Sequence, residues 1–269
     1  MTIKTFMFFD LETTGLPAKD HVPKVIELTF LCVLRSDIEQ ADIYNLPPVS
    51  KLTYLFNPQT ELSHEAAQLT GLSNEYLINQ PVFEDKIKCI KAFLDAPKPV
   101  CLIAHNGNRF DFKIIKNEFA NAKAVLPDGL YCVDSLKAFK KILKDNDFIQ
   151  MEASNVCKRN FDSSDSTLGE DAWPDLNVTP ENWREIDNMI ESFTSLTTTP
   201  KCESDKNKQS TISLKLTNIY KTLLRKEPIV SHRAEADCMM LLECVISTKQ
   251  YFLPWADRNY QLLSRIKPF

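Results

Sequence analysis

The feature that most constrains the fold of this 269-residue chain is its series of short apolar segments. These segments are spaced at first like strands, and then alternately like helices and strands. An almost unbroken apolar run over 5–9 is typical of a central strand that is buried on both faces. The pattern predicts strands at 5–9, 25–34, 52–56, 100–104 and 130–133, and helices at 83–95, 112–119, 135–143, 214–224 and 236–246. This order predicts an α/β fold, with a mixed central β-sheet flanked by α-helices.

A change in composition interrupts this alternation between about residues 145 and 210. The stretch is rich in Asp, Ser and Thr, and it is too long for an ordinary connection between two elements. We therefore predict a single domain, 1–269, that carries a partly ordered insertion on its surface at about 145–210.

The overall composition indicates the cellular compartment of the protein rather than its activity. The formal net charge of −4 does not point to a nucleic-acid binder, although it suits an enzyme whose carboxylates hold metal cations. No apolar run is long enough to span a membrane, and there is no room for a signal-peptide apolar region before Asp10. Six cysteines lie in apolar stretches, and none belongs to a Cys-x-x-Cys pair, which favours reduced, buried thiols: Cys32, Cys89, Cys101, Cys132, Cys238 and Cys244. We expect a cytoplasmic or nuclear protein without membrane association.

The first informative motif is a pair of carboxylates that follows the strand at 5–9. If the extended path continues, the side chains of Asp10 and Glu12 point to the same side of the chain. Two such oxygen ligands can hold Mg²⁺ or Mn²⁺. Taken alone, Asp-x-Glu is more often a strand end followed by a solvated turn.

Two further acidic motifs lie at the edges of predicted elements. In the segment 104–112 a strand ends, Asn106-Gly107 turns the chain, and Asp111 opens a helix. In the segment 231–237, His232 precedes a carboxylate, Asp237, that lies near the start of another helix. Taken alone, Asp111 would be an ordinary first-turn residue, favoured by the helix dipole, and His232 a surface histidine.

Together these motifs supply four carboxylates and one histidine at positions where side chains can converge. Hydrolysis of a phosphodiester needs such a set, because two divalent ions about 3.5–4 Å apart bind the attacking and the leaving oxygens. A histidine that titrates near neutral pH can take the proton from the attacking water. The sequence therefore predicts a metal-dependent phosphodiester hydrolase.

The three motifs resemble those of the DEDDh exonuclease superfamily, which has a ribonuclease-H-like fold, and within it the three-prime repair exonuclease family. Segments 8–17, 104–112 and 231–237 resemble its three motifs, and 69–73, 130–135 and 255–268 resemble other parts of its catalytic domain. The resemblance implies that Asp10, Glu12, Asp111 and Asp237 bind two Mg²⁺ ions, with Mn²⁺ as a substitute, and that His232 is the general base.

The resemblance also implies a set of substrate contacts. Thr13 and Thr14 would lie beside the 3′-terminal nucleotide, and Asn106 and Arg109 near the scissile phosphate or the strand ends. The residues expected to contact substrate are Leu11, Thr13, Thr14, Leu16, Leu69, Asn106, Arg109, Phe110 and His232. Of these, Leu16, Leu69 and Phe110 would pack against terminal bases, a kind of binding that tolerates many sequences.

The resemblance implies a 3′→5′ exonuclease that removes 5′-mononucleotides from single-stranded DNA or DNA 3′ ends. It also implies a homodimer formed by pairing of edge strands, here the strand at 52–56. Three alternatives stay open: an exoribonuclease or dual DNA and RNA exonuclease of the same fold, a proofreading subunit of a polymerase, and a catalytically silent binding or scaffold protein. A basic helical stripe could follow phosphates or could be a solvated face: Lys137, Lys140, Lys141 and Lys144.

Overall fold

The computed structural model describes residues 1–18, 22–144, 213–228 and 232–269. Within these residues the chain forms a six-stranded mixed sheet with the strand order β3-β2-β1-β4-β5-β6. The parallel pairs are β1 with β4 and β4 with β5, and the other neighbours are antiparallel. The strands are β1 (Thr5–Thr13), β2 (Val25–Leu34), β3 (Ser50–Leu55), β4 (Val100–Ala104), β5 (Tyr131–Asp134) and β6 (Gln261–Leu262). The predicted α/β fold is confirmed.

Nine helices accompany the sheet in the described residues. They are α1 (Arg35–Gln40), α2 (His64–Thr70), α3 (Asn74–Leu77), α4 (Phe83–Leu94), α5 (Asp111–Asn121), α6 (Ser135–Lys144), α7 (Leu216–Leu224), α8 (Ala234–Ser247) and α9 (Lys249–Asn259). A short 3-10 helix covers Leu263–Arg265. None of these described helices is long and apolar enough to cross a membrane.

The two faces of the sheet carry separate cores, and β1 contributes to both. Phe6 and Phe8 pack with α6, α7, α8 and α9 on one face, whereas Met7 and Phe9 pack with α4 and α5 on the other. Because helices cover both faces, β1 can be apolar at consecutive positions and still be buried throughout. The sheet therefore lies between two layers of helices, and helices from either layer can place side chains at its edges.

Most predicted elements are observed, with shifts at their ends. In the segment 69–73, Leu69 and Thr70 end α2, and Gly71 caps it in the left-handed conformation, with φ of 68°. Ser73 then caps α3. The helices α1, α2, α3 and α9 and the strand β6 were not predicted.

Three further predictions can be compared with the structure. The strand predicted at 52–56 is β3, which lies at the edge of the sheet as expected. Cys32 is partly exposed and Cys89 is exposed, so the prediction that the six cysteines are all buried is wrong for these two, although all six are free thiols. The predicted insertion at about 145–210 lies outside the described residues.

Candidate active site

The first two carboxylates lie where β1 runs beyond its parallel neighbour. β1 pairs with β4 only as far as Phe8 and Ile103, whereas its pairing with β2 continues to Thr13. Asp10 and Glu12 follow Phe8 at two-residue steps, so they lie on the face that α8 covers. Both carboxylates are therefore on a length of strand that is open on the β4 side.

Helix α8 brings the third carboxylate to this place. It packs against β1 and β2, and the Cys238 thiol lies 3.6 Å from the carbonyl oxygen of Thr29, which is the β2 partner of Asp10. The adjacent residue is Asp237, in the first turn of α8. One carboxylate oxygen from each of Asp10, Glu12 and Asp237 lies within 4.8 Å of the others. Such a group can share a cation.

The fourth carboxylate approaches from the opposite side of the sheet. Asp111 is the first residue of α5, which packs on the face that holds Phe9. Asp111 is 3% exposed, and the backbone N–H groups of Asp111 and Leu11 lower its pKa against the larger effect of burial. Asp111 is outside the group within 4.8 Å, but its charge acts on Asp10, whose pKa it raises. Two helices from opposite faces thus meet β1 at one end.

The electrostatics of the four carboxylates are those of a cation site. Burial, and then the charge of Asp111, raises the pKa of Asp10 well above its ordinary value. Burial together with the charge of Asp237 raises the pKa of Glu12 to about 8, and burial raises that of Asp111 to about 8. Burial also raises the pKa of Asp237. Crowded carboxylates resist ionising together, and a bound divalent cation relieves this by neutralising them. Oxygen ligands alone fit Mg²⁺ or Mn²⁺.

A buried carboxylate, Asp134, shapes the loop that leads to Asp111. Its oxygens accept hydrogen bonds from the backbone N–H groups of Asn106 (2.9 Å) and Asn108 (3.2 Å) and also from Leu136 at the start of α6 (3.1 Å). The Gln261 side-chain amide donates to the Asn108 side chain at 2.8 Å. These bonds fix the path from β4 to α5. In the sequence, Asp134 lies between the predicted strand at 130–133 and the predicted helix at 135–143, and no pattern indicates this role.

His105, directly after β4, connects this loop to a distant part of the chain. Its Nδ1 lies 2.9 Å from the Ser135 hydroxyl, and its Nε2 lies 2.9 Å from the carbonyl oxygen of Leu214. Burial lowers the pKa of His105, which favours the neutral ring. In that form Nε2–H donates to the Leu214 carbonyl and Nδ1 accepts from Ser135.

His232 lies in the segment that leads into α8. Its side chain is exposed, and its backbone has a left-handed φ of 67°. The backbone N–H of His232 donates to Oδ2 of Asp237 at 2.9 Å, so the histidine is tied directly to one of the clustered carboxylates. The structure therefore brings the four predicted carboxylates together, and it ties the backbone of His232 to one of them.

Comparison with known proteins agrees with this geometry. The RNase_T family model, described as an exonuclease, matches residues 7–167. The chain belongs to this exonuclease family. The match includes Asp10, Glu12 and Asp111 but ends before His232 and Asp237, whose place in the site follows from the fold around them.

Curated relatives of this chain include two mammalian proteins. It is 37% identical over 154 residues to three-prime repair exonuclease 1 of Homo sapiens, an alignment that covers 52% of this chain and 48% of that protein. It is 35% identical over 147 residues to three prime repair exonuclease 2 of Mus musculus, covering 51% and 61% respectively. The aligned part thus spans about half to three-fifths of these relatives. The predicted resemblance to the three-prime repair exonucleases is confirmed.

Solved structures confirm the fold. The nuclease domain of 3′hExo, a DEDDh family member bound to rAMP, matches with a TM-score of 0.54 and 12% identity, covering 92% of each chain. The Escherichia coli ExoI–ssDNA complex in its zinc-bound form matches with a TM-score of 0.53 and 13% identity, covering 96% of this chain and 43% of that one. At such low identity the likeness speaks for the fold alone.

The predicted substrate contacts fall into two groups. Leu16 and Leu69 are exposed by 47% and 57%, and Arg109 is exposed in the loop before α5, with Asn106 and Phe110 partly exposed beside it. These side chains are available to a ligand. In the described part of α6, Lys137, Lys141 and Lys144 are also exposed, and Lys140 is partly buried.

The other group is enclosed in the fold. The Thr13 hydroxyl donates to the carbonyl oxygen of Gly15 at 2.7 Å, and the Thr14 hydroxyl accepts from the backbone N–H of Lys24 at 3.1 Å. Both threonines are buried and hold the turn after β1. Leu11 is 4% exposed in the core on the α5 side of the sheet. The predicted substrate contact of Leu11 is therefore limited to its backbone, since strand alternation turns its side chain away from Asp10 and Glu12.

Proposed function

We propose that this exonuclease hydrolyses phosphodiester bonds at DNA 3′ ends and releases 5′-mononucleotides, using two divalent metal ions. One observation supports this most strongly: oxygens of Asp10, Glu12 and Asp237 lie within 4.8 Å of one another, and the charge of Asp111 acts on Asp10. Membership of the exonuclease family and the names of the curated relatives support the choice of reaction.

Each group of residues in the site has its own role in the proposed reaction. Asp10, Glu12, Asp111 and Asp237 would hold the metal ions. Bound Mg²⁺ supplies stabilisation of negative charge on the attacking and leaving oxygens. His232, exposed and tied through its backbone to Asp237, takes the proton from the attacking water. The exposed Arg109 guanidinium provides a cation beside Asp111 for a phosphate oxygen.

The substrate strand would approach across the exposed apolar and basic side chains near the site. Leu16, Leu69 and Phe110 offer surfaces on which terminal bases pack with little sequence preference. The exposed lysines of α6 offer charges to the phosphates further along the strand. We further propose that the protein acts in the cytoplasm or nucleus, which its free thiols support.

A time course with end-labelled oligonucleotides tests the reaction. With 3′-labelled single-stranded DNA and Mg²⁺, the label should leave as a 5′-mononucleotide from the first time points, whereas EDTA should stop the release. An oligonucleotide with a blocked 3′ end and a circular single strand serve as controls, and both should stay intact. Cleavage of the circle would show an endonuclease and contradict the proposal.

The same time course with a matched RNA oligonucleotide decides the sugar preference. Asp10, Glu12, Asp111 and Asp237 act on phosphate and water, so they hydrolyse both polymers in the same way, and contacts to the 2′ position set the preference. We expect faster release from DNA. A faster release from RNA would instead assign the chain to exoribonuclease activity.

A further inference from the structure

A fifth carboxylate lies directly beside the metal-binding cluster. Glu27 of β2 is the Cα partner of Glu12 across the β1–β2 pair, so the two side chains project from the same face of the sheet. Glu27 is 1% exposed. A carboxylate this deeply buried needs a charged partner or several hydrogen bonds.

In the described residues, all hydrogen-bond partners of the Glu27 carboxylate come from the segment that begins α8. Arg233 donates through Nε to one Glu27 oxygen at 2.8 Å and through Nη2 to the other at 3.1 Å. The backbone N–H of Ala234 donates to Glu27 at 3.4 Å. The guanidinium fork and the carboxylate therefore form a two-bond pair whose orientation is fixed.

These bonds replace the usual cap of the helix. Arg233 occupies the N-cap position of α8 in an extended conformation, and its own side chain makes no cap hydrogen bond to the helix. The Glu27 carboxylate accepts from the first helical N–H instead, although it is 207 residues away along the chain. A negative charge at a helix N-terminus is also favoured by the helix dipole. The start of α8 is thus attached to β2 at the position beside Glu12.

In the sequence, Arg233 lies between His232 and Asp237, the two site residues near the start of α8. His232 precedes it, and the backbone N–H of His232 donates to Asp237 one turn into the helix. The backbone N–H of Asp237 in turn donates to the carbonyl oxygen of Arg233 at 3.1 Å. A displacement of Arg233 would therefore move both His232 and Asp237.

We propose that Glu27 and Arg233 are positioning residues, which together hold His232 and Asp237 in register with Asp10 and Glu12. This proposal rests on the proposed function. Glu27 does not serve as a metal ligand, because both of its oxygens are engaged by Arg233 and one also by Ala234. The pair is also more than an exposed ion pair, since only the arginine reaches solvent.

Three variants separate positioning from charge balance. Arg233→Met leaves the Glu27 carboxylate buried and unpaired, and Arg233→Lys restores the charge but cannot donate through a planar fork. In Glu27→Gln/Arg233→Met both charges are gone, which can restore stability because no buried charge is left unpaired. The matched control is Arg35→Met, because Arg35 makes a similar fork to Asp257, at 3.0 and 3.2 Å, outside the site.

The readouts are the melting temperature of the metal-free protein, the affinity for Mn²⁺ by calorimetry, and kcat and KM on single-stranded DNA. We expect Arg233→Met to lower kcat and Mn²⁺ affinity by about 10- to 100-fold at a temperature where it is folded, with Arg233→Lys intermediate. The double variant should regain the melting temperature but not kcat. Arg35→Met should change the melting temperature alone.

Two results would overturn the proposal. One is a double variant that regains both stability and kcat, which would reduce the pair to charge balance. The other is a folded Arg233→Met protein with wild-type Mn²⁺ affinity. If the wild-type protein has no nuclease activity, the proposed function fails by itself, and the Mn²⁺ affinity of Arg233→Met still decides whether the pair positions Asp237.

Discussion

The backbone N–H of Leu11, on the length of β1 that has no β4 partner, acts on the carboxylate of Asp111 and lowers its pKa against the larger effect of burial. A helix from one face of the sheet thereby occupies the edge that the shorter parallel strand leaves open. Asp10 and Glu12 project from the other face, towards α8. The site depends on this difference in length between β1 and β4.

The first prediction concerns pH and metal. Burial and neighbouring charge raise the pKa of Glu12 from 4.5 to about 8, so the folded metal-free protein keeps a proton that the unfolded chain has released. This contribution to the free energy of unfolding is fully present below pH 4.5 and is lost as pH rises through about 8. The melting temperature measured by calorimetry in EDTA should therefore show the contribution of Glu12 declining between pH 4.5 and about 8.

Two comparisons check the cause. Glu12→Gln should flatten the decline, because it removes the group that titrates. Added Mg²⁺ should raise the melting temperature most at the alkaline end, where the carboxylates are ionised and able to bind it. A pH profile that is the same in the wild type and Glu12→Gln would contradict the assignment.

The second prediction concerns His232, the proposed general base. His232→Ala should lower kcat by about 10²–10⁴-fold, because proton removal from water loses its acceptor. The melting temperature should stay near that of the wild type, since the side chain is exposed. The control is His64→Ala, at the exposed first residue of α2, which should keep full activity. Equal kcat values for the two variants would remove His232 from the mechanism.

The third prediction concerns the turn before Asp111. A Cβ at Gly107 would lie 2.7 Å from Cβ of Ala104 and 2.8 Å from the ring of Phe112. Gly107→Ala should cost about 1–3 kcal/mol of unfolding free energy and should also lower kcat, because the loop leading to Asp111 must shift. Gly129→Ala is the control, since its cost is backbone strain at a φ of 72° away from the site. Denaturant unfolding and nuclease assays should show a stability loss in both variants and a loss of kcat only in Gly107→Ala.

The fourth prediction concerns assembly. The edge strand β3 could pair with its copy in a homodimer, as the family resemblance implies. The backbone N–H of Phe56 points to β2, and alternation therefore turns that of Thr53 to the free edge. Thr53→Pro should shift the molecular mass measured by light scattering from dimer to monomer. Thr53→Val keeps the N–H and should stay dimeric, and a wild-type monomer would refute edge pairing.

Periodicity in the sequence predicted the elements that are long and regularly buried. The bounds of β2 and β4 were predicted correctly because β4 is a continuous apolar run, β2 is apolar except at Glu27 and Thr29, and both end at polar residues. Helix α9 was missed because Pro254 lies inside it and its polar residues obscure the apolar spacing. The two residues of β6 are strand only because β5 pairs with them, which no local pattern reveals.

The carboxylates of the site were predictable because each lies at the edge of a predicted element. Glu27 was not, since a single glutamate in an apolar strand carries no pattern of its own. Its partner, Arg233, lies 206 residues further along the chain, and only the fold brings the two together. Asp134 was missed for a related reason: its bonds go to backbone groups in another loop.

The two hydrogen bonds of His105 have a consequence for how this chain can change. They hold the backbone at Leu214, near the start of the described segment 213–228, beside the start of α6. The entropy of closing a loop grows only with the logarithm of its length. Related chains could therefore gain or lose many residues between α6 and α7 while the reaction centre stays the same, which makes this connection the natural place for lineage-specific sequence to accumulate.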